Sequence, residues 1–226
     1  MSAIRSWIRA GIWLIPIYGG LTLYATWTHQ PDPETQFRDW SEYVTTTNFL
    51  VGHILGSVVG TTLGLLGAVA LGLYLADTRR SKAALAGLTA TVLGSGAVIA
   101  TFGVAISAQP ALGNAYLGGL AAAEGLYDSV YGPATLAVAI TGVVLFSLGP
   151  ILLGWAIVSS GRLPKWSGIA YGLSGPLIGI FGLVIGEAQT VGSVLLIGAG
   201  VVIARHVGAG ASAAPVTAGE GVKRPA

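Results

Sequence analysis

Six stretches of mostly apolar residues, separated by short polar segments, set the frame of this chain. They run roughly over 10–28, 48–75, 84–107, 134–158, 167–186 and 188–204. A helix needs about 20 apolar residues to cross the ~30 Å hydrocarbon core of a bilayer. Strands with open edges would leave backbone amides unpaired in lipid, so the pattern predicts helices. The expectation is an all-α, polytopic membrane helix bundle of six transmembrane helices filling residues 1–204. Residues 205–226, rich in Ala, Gly and Pro, are expected to form a disordered cytoplasmic tail.

The polar segments carry structure of their own. Asp32 followed by Pro33 reads as a helix N-cap with proline in the first turn. Beyond it Phe37, Trp40 and Val44 recur on one face, with Glu34, Arg38, Asp39 and Glu42 over much of the rest. This predicts a short helix lying along the outer membrane surface, with Trp40 and Tyr43 at headgroup depth. The segment 109–133 is longer and largely apolar, and suits a second interfacial helix, a re-entrant segment or a cover over the bundle.

Composition agrees with this reading. Of 226 residues, 53% are hydrophobic and 9% charged, and the mean hydropathy is +0.76. Soluble domains carry about 25% charged residues. A soluble enzyme, a disordered regulator and a nucleic-acid binder are thereby excluded. The chain holds no cysteine, so it has no disulfide and no thiolate site.

Charge sets the orientation. Arg5 and Arg9 precede the first span; Arg79, Arg80, Lys82, Arg162, Lys165, Arg205, Lys223 and Arg224 lie in the segments that return to the same side. Arg38 alone of the eleven basic residues falls opposite, among Asp32, Glu34, Asp39, Glu42, Glu124, Asp128 and Glu187. Cytoplasmic loops hold the Lys and Arg excess, which predicts both termini in the cytoplasm of a bacterial-type inner membrane. Five or seven spans would break the alternation. Tyr24-Ala25-Thr26-Trp27 makes a poor signal-peptidase site, so the first span is expected to be retained. The surplus of positive charge suits anionic lipid, not nucleic acid.

Glycine supplies the most regular spacing. Gly168, Gly172, Gly175, Gly179, Gly182 and Gly186 alternate steps of four and three, and Gly52, Gly56, Gly60 and Gly64 repeat steps of four. Small residues at such spacings let membrane helices approach closely. These faces are expected to pack the protein's own helices or those of a partner, a further subunit or a second copy of the chain.

Chemistry-bearing residues are few. His53 lies inside a span, with Ser57 and Thr61 following at steps of four as a polar stripe. An ionisable residue within a span is a functional candidate. Glu124 and Asp128 share a helix face, and His29, Asp32 and Glu34 cluster in the first outer loop. Carboxylates with an imidazole could perform acid–base chemistry, though topology by itself places acids outside. Met1 is the only methionine and no second intramembrane ligand accompanies His53, which argues against haem. No nucleotide, hydrolase or metalloprotease motif occurs, so neither cofactor nor metal is expected. No Asp, Glu, Lys or Arg stands mid-span, which weighs against ion-coupled transport.

Three functions fit these features. The first is a non-enzymatic accessory, assembly or lipid-interacting membrane component. The second is an enzyme at the outer face acting on a hydrophobic substrate through His53, Glu124 and Asp128. The third is a facilitative permease, which requires a polar cavity between the helices beside His53, Ser57 and Thr61.

Overall fold

The computed structural model describes residues 2–26, 30–78 and 80–212, and every regular element among them is helical. Five helices there are long and apolar enough to cross a membrane: Thr47–Leu75, Ser81–Leu117, Pro133–Ser160, Lys165–Leu183 and Gly186–Ala209. Their outward side chains, such as Leu136, Ile140, Leu93 and Ile169, are apolar and exposed. A lipid-facing surface accounts for that arrangement, because hydrocarbon leaves no penalty for exposed leucine.

The first apolar stretch differs from expectation. It forms two shorter helices, α1 (Ser2–Ile12) and α2 (Leu14–Ala25), separated by Trp13. Pro16 explains the break: it has no amide proton for the Ile12 carbonyl, and its ring crowds that same carbonyl. The end of the expected span, residues 27–28, lies outside the described residues, as does His29.

The remaining elements follow in order. They are α3 (Phe37–Val44), α4 (Thr47–Val51), a π-helical segment (Gly52–Val59) and α5 (Gly60–Leu75); then α6 (Ser81–Leu117), α7 (Ala123–Val130), α8 (Pro133–Ser160), α9 (Lys165–Ile178), a 3-10 turn (Phe181–Leu183) and α10 (Gly186–Ser212). Packing runs α6 to α8, α8 to α9, α9 to α10, α10 to α2, α2 to α5 and α5 back to α6. The bundle is thus a closed ring with a centre, and the centre is where a ligand could sit.

The ring has two distinct ends. At the terminal end Arg162 joins Asp77 just beyond α5, its Nη2 donating to the Asp77 carbonyl at 2.8 Å and lying 3.6 Å from its carboxylate. Gly161 closes α8 there in the left-handed region (φ 69°), a conformation glycine adopts without strain. Trp7, Trp13, Trp155 and Trp166 are all exposed near this end, the position of an interfacial aromatic belt. At the opposite end α3 and α7 pack on the end of α6 as a cap.

Several boundaries depart from the sequence reading. Helix α6 spans 37 residues, about 55 Å at 1.5 Å per residue, so it projects well beyond a ~30 Å hydrocarbon core. The segment 109–133 is therefore the end of α6 plus α7, joined to Pro133 at the first turn of α8. Asp32 caps a turn rather than a helix: its carboxylate accepts from the Glu34 amide and the Thr35 hydroxyl, both at 3.0 Å, and α3 starts at Phe37. The face of Phe37, Trp40 and Val44 is buried inward. Trp40 is fully buried among Phe37, Val44, Phe49 and Leu112, because the projecting end of α6 offers it a protein surface. Helix α10 continues to Ser212, past the expected end at 204.

A candidate ligand cavity between the helices

The stretch 48–75 is not a uniform α-helix. Between α4 and α5 the backbone widens into the π-helix Gly52–Val59, and the Gly60 amide reaches back five residues to the Leu55 carbonyl. Such segments are rare and recur at functional sites. His53 and Ser57 sit inside it, and Thr61 lies in the first turn of α5.

The second interruption lies in α9. Pro176 removes one backbone donor, and two residues later the helix ends at Ile178. The chain passes through the 3-10 turn at Phe181–Leu183 before α10 begins at Gly186. The Gln189 side chain donates to the Ile178 carbonyl at 3.4 Å, so α10 helps to hold the broken end. Interrupted helices at membrane depth occur where backbone lines a cavity or is covered by protein.

These two interruptions face one another across the ring and line a partly open cavity of about 260 Å³. His53, Ser57 and Thr61 line it, joined on the α2 side by Tyr18, Thr22 and Thr26. Gln30, Tyr43 and Gln189 stand toward the cap. Val98, Phe102, Val143, Phe146, Ile178 and Leu183 form an apolar wall. None of the described residues lining it is Asp, Glu, Lys or Arg.

The imidazole is oriented by a bond to its own helix. Nδ1–H of His53 donates to the Phe49 carbonyl at 3.0 Å, which leaves Nε2 as the hydrogen-bond acceptor of the neutral ring. Phe49 packs against the imidazole at 4.1 Å between centroids and Phe102 meets it edge-on at 6.0 Å. Opposite, the Tyr18 hydroxyl faces those of Thr61 and Thr22. The cavity therefore offers donors and acceptors without formal charge.

The carboxylates named from sequence are elsewhere. Glu124 and Asp128 are exposed on α7, outside the cavity lining, so His53 is not brought together with them. Among the described residues no cluster of three His, Asp or Glu side chains could hold a metal ion. Asp128 instead lies with Asp32 and Glu34 around Tyr127.

The glycines divide in the same way. A methyl at Gly56 would strike Ala25, at Gly64 the Tyr18 ring, and at Gly60 would come within 3.3 Å of that ring, so these three face α2; Gly52 opens onto the cavity. Gly168, Gly175 and Gly179 meet α8 at 2.7, 2.8 and 2.6 Å on the same construction, and Gly172 at 3.6 Å. Gly182 abuts Gln189 in the 3-10 turn, and Gly186 faces open space at the start of α10. Gly87, Gly94, Gly142 and Gly149, not singled out from sequence, lie where α6 and α8 approach closely. Their signal was present: each pair is a heptad apart, the spacing of a packing seam.

No protein-family model, no curated protein and no solved structure matches this chain.

Proposed function

We propose that this multi-pass membrane protein is a facilitative permease for a small, uncharged, hydroxyl-bearing solute. The observation that carries the reading is the cavity beside His53, Ser57 and Thr61, in the centre of a closed helix ring. Its polar side suits a solute that exchanges hydrogen bonds with hydroxyls, amides and an imidazole acceptor. Its lack of formal charge disfavours an ion, since a desolvated charge needs a partner. At about 260 Å³ it lies just below the 300–1,000 Å³ typical of drug-sized ligands, which points to a smaller molecule.

The accessory component is a second reading, in which the glycine faces pack either the protein's own helices or a partner's. The glycine faces that could have received a partner helix meet helices of the same chain, with Gly56 and Gly64 against α2, and Gly168 and Gly175 against α8. The cap end, where the cavity's Gln30 and Tyr43 lie, carries the acidic loops and is assigned to the extracytoplasmic side.

The test is flux in proteoliposomes. Purified protein is expected to accelerate entry of glycerol or xylitol over protein-free vesicles in stopped-flow light scattering, without imposed ion gradients. Ser57→Val is expected to lower that rate several-fold. No acceleration for any neutral polyol would end this reading.

A further inference from the structure

Below the outer cavity the centre of the ring holds a second, smaller chamber of about 30 Å³. Tyr18, Thr61, Phe146 and Ile178 line both spaces, so they form the floor of one and the ceiling of the other. The inner chamber adds Thr91 and Ser95 from α6, and Tyr171 and Ser174 from α9. All four are nearly inaccessible, Ser95 and Ser174 at 1%. Thr91 donates to the Gly87 carbonyl at 2.8 Å and Ser174 to the Tyr171 carbonyl at 2.7 Å, which leaves their oxygen lone pairs free to accept.

Hydroxyls from two helices meet at one depth of an otherwise apolar ring, where their lone pairs can hold a hydrogen-bonding occupant. A chamber of this size exceeds the roughly 10–15 Å³ needed to hold a water, and a buried water needs two to four polar partners. The partition above it is seated against α5. The Tyr18 ring rests where Gly64 has no side chain, and a methyl there would come within 2.8 Å of ring carbons.

We propose that the inner chamber is a hydrated second station on the solute path, and that the Tyr18 ring is the partition that selects what enters it from the outer cavity. The species that pass are water and narrow uncharged solutes bearing hydroxyl groups. The glycine stripe on α5 then acts as the seat of the partition as well as a packing face. This inference rests on the permease reading, and the experiment below separates the two.

The chain has no cysteine, so single cysteines report their own surroundings without a background to remove. Full-length protein in proteoliposomes would be treated with the neutral reagent 2-hydroxyethyl methanethiosulfonate, which attacks hydrated thiolates. Ser57→Cys tests the outer cavity, Ser95→Cys the inner chamber, and Val138→Cys a lipid-facing control. The expectation is rapid labelling at 57 and slow labelling at 95. Adding Tyr18→Ala should speed position 95 at least tenfold, whereas Tyr18→Phe, which keeps the ring, should not. Gly64→Ala should also raise the rate at 95 by unseating the ring, and it serves if Tyr18→Ala fails to fold. If position 95 stays as inert as 138 in both opened variants while 57 labels normally, the inner station is refuted and the outer cavity stands. An inert position 57 would overturn the cavity reading and this inference together.

Discussion

Two glycines on α6, two residues apart, meet opposite surroundings. A methyl at Gly94 would fall on the backbone of Leu145 and Phe146, whereas one at Gly96 would meet nothing within 4 Å. Backbone cannot swing aside as a side chain can. Gly94→Ala is therefore expected to destabilise by at least about 1–3 kcal/mol, the cost of overpacking. Gly96→Ala should be neutral or gain roughly 0.5–1 kcal/mol from reduced chain freedom. Unfolding by SDS in mixed micelles checks both. The two residues look alike in the sequence, and only the approach of α8 distinguishes them.

Tyr127 supplies a second prediction at this scale. Burial among cap aromatics, with Trp40 at 5.2 Å and Phe37 at 6.3 Å, pushes its phenol up to about 12 from 10; Tyr131, then Glu34, Asp32 and Asp128, add to the effect. The sign follows from linkage. The folded state holds the proton more tightly, so the stabilisation is complete below the unfolded value near 10 and is lost as pH rises through about 12. Melting temperature measured across that window should fall for the wild type and fall less for Tyr127→Phe. Equal slopes in the two proteins would contradict the assignment.

At the scale of elements, Gln109 ties the projecting end of α6 to its surroundings. Its amide donates to the Tyr131 hydroxyl at 2.7 Å, and its oxygen accepts from Gln30 at 3.2 Å. Gln109→Leu would strand both partners, and leaving a buried polar group unmade costs about 1–3 kcal/mol. Faster amide exchange in α3 and α7, with the ring helices unchanged, is the expected result. The existence and type of the long helices was legible in hydropathy, because lipid-facing residues must be apolar whatever their neighbours. The interruptions were less so. Pro16 and Pro176 are visible, but proline equally accompanies mere kinks, as Pro110 and Pro150 do inside continuous helices. The π segment has no mark in the sequence, since its one-residue change of register depends on what the helix packs against.

For the molecule as a whole, the unequal distribution of Lys and Arg predicts which side each end occupies. A reporter fused after residue 226 is expected to be active only when cytoplasmic activity is required, and protease added outside should cut the cap loops but spare the tail. Activity of the fusion only outside would reverse the assignment.

Hydropathy and charge by themselves determined that this chain is a helical membrane bundle, because the cost of exposing polar backbone to hydrocarbon acts on each segment independently. They also set His53, Ser57 and Thr61 on one stripe, since helical spacing is a local property. Tertiary structure alone decided that this stripe faces a cavity and that Glu124 and Asp128 lie outside it. It also decided that Tyr18, Thr61, Phe146 and Ile178 line both chambers. Those outcomes depend on which helices meet across a closed ring and how closely. That closeness is fixed by pairs of surfaces far apart in the chain, such as Gly94 and Phe146 or Gly64 and Tyr18, and not by any one segment read alone.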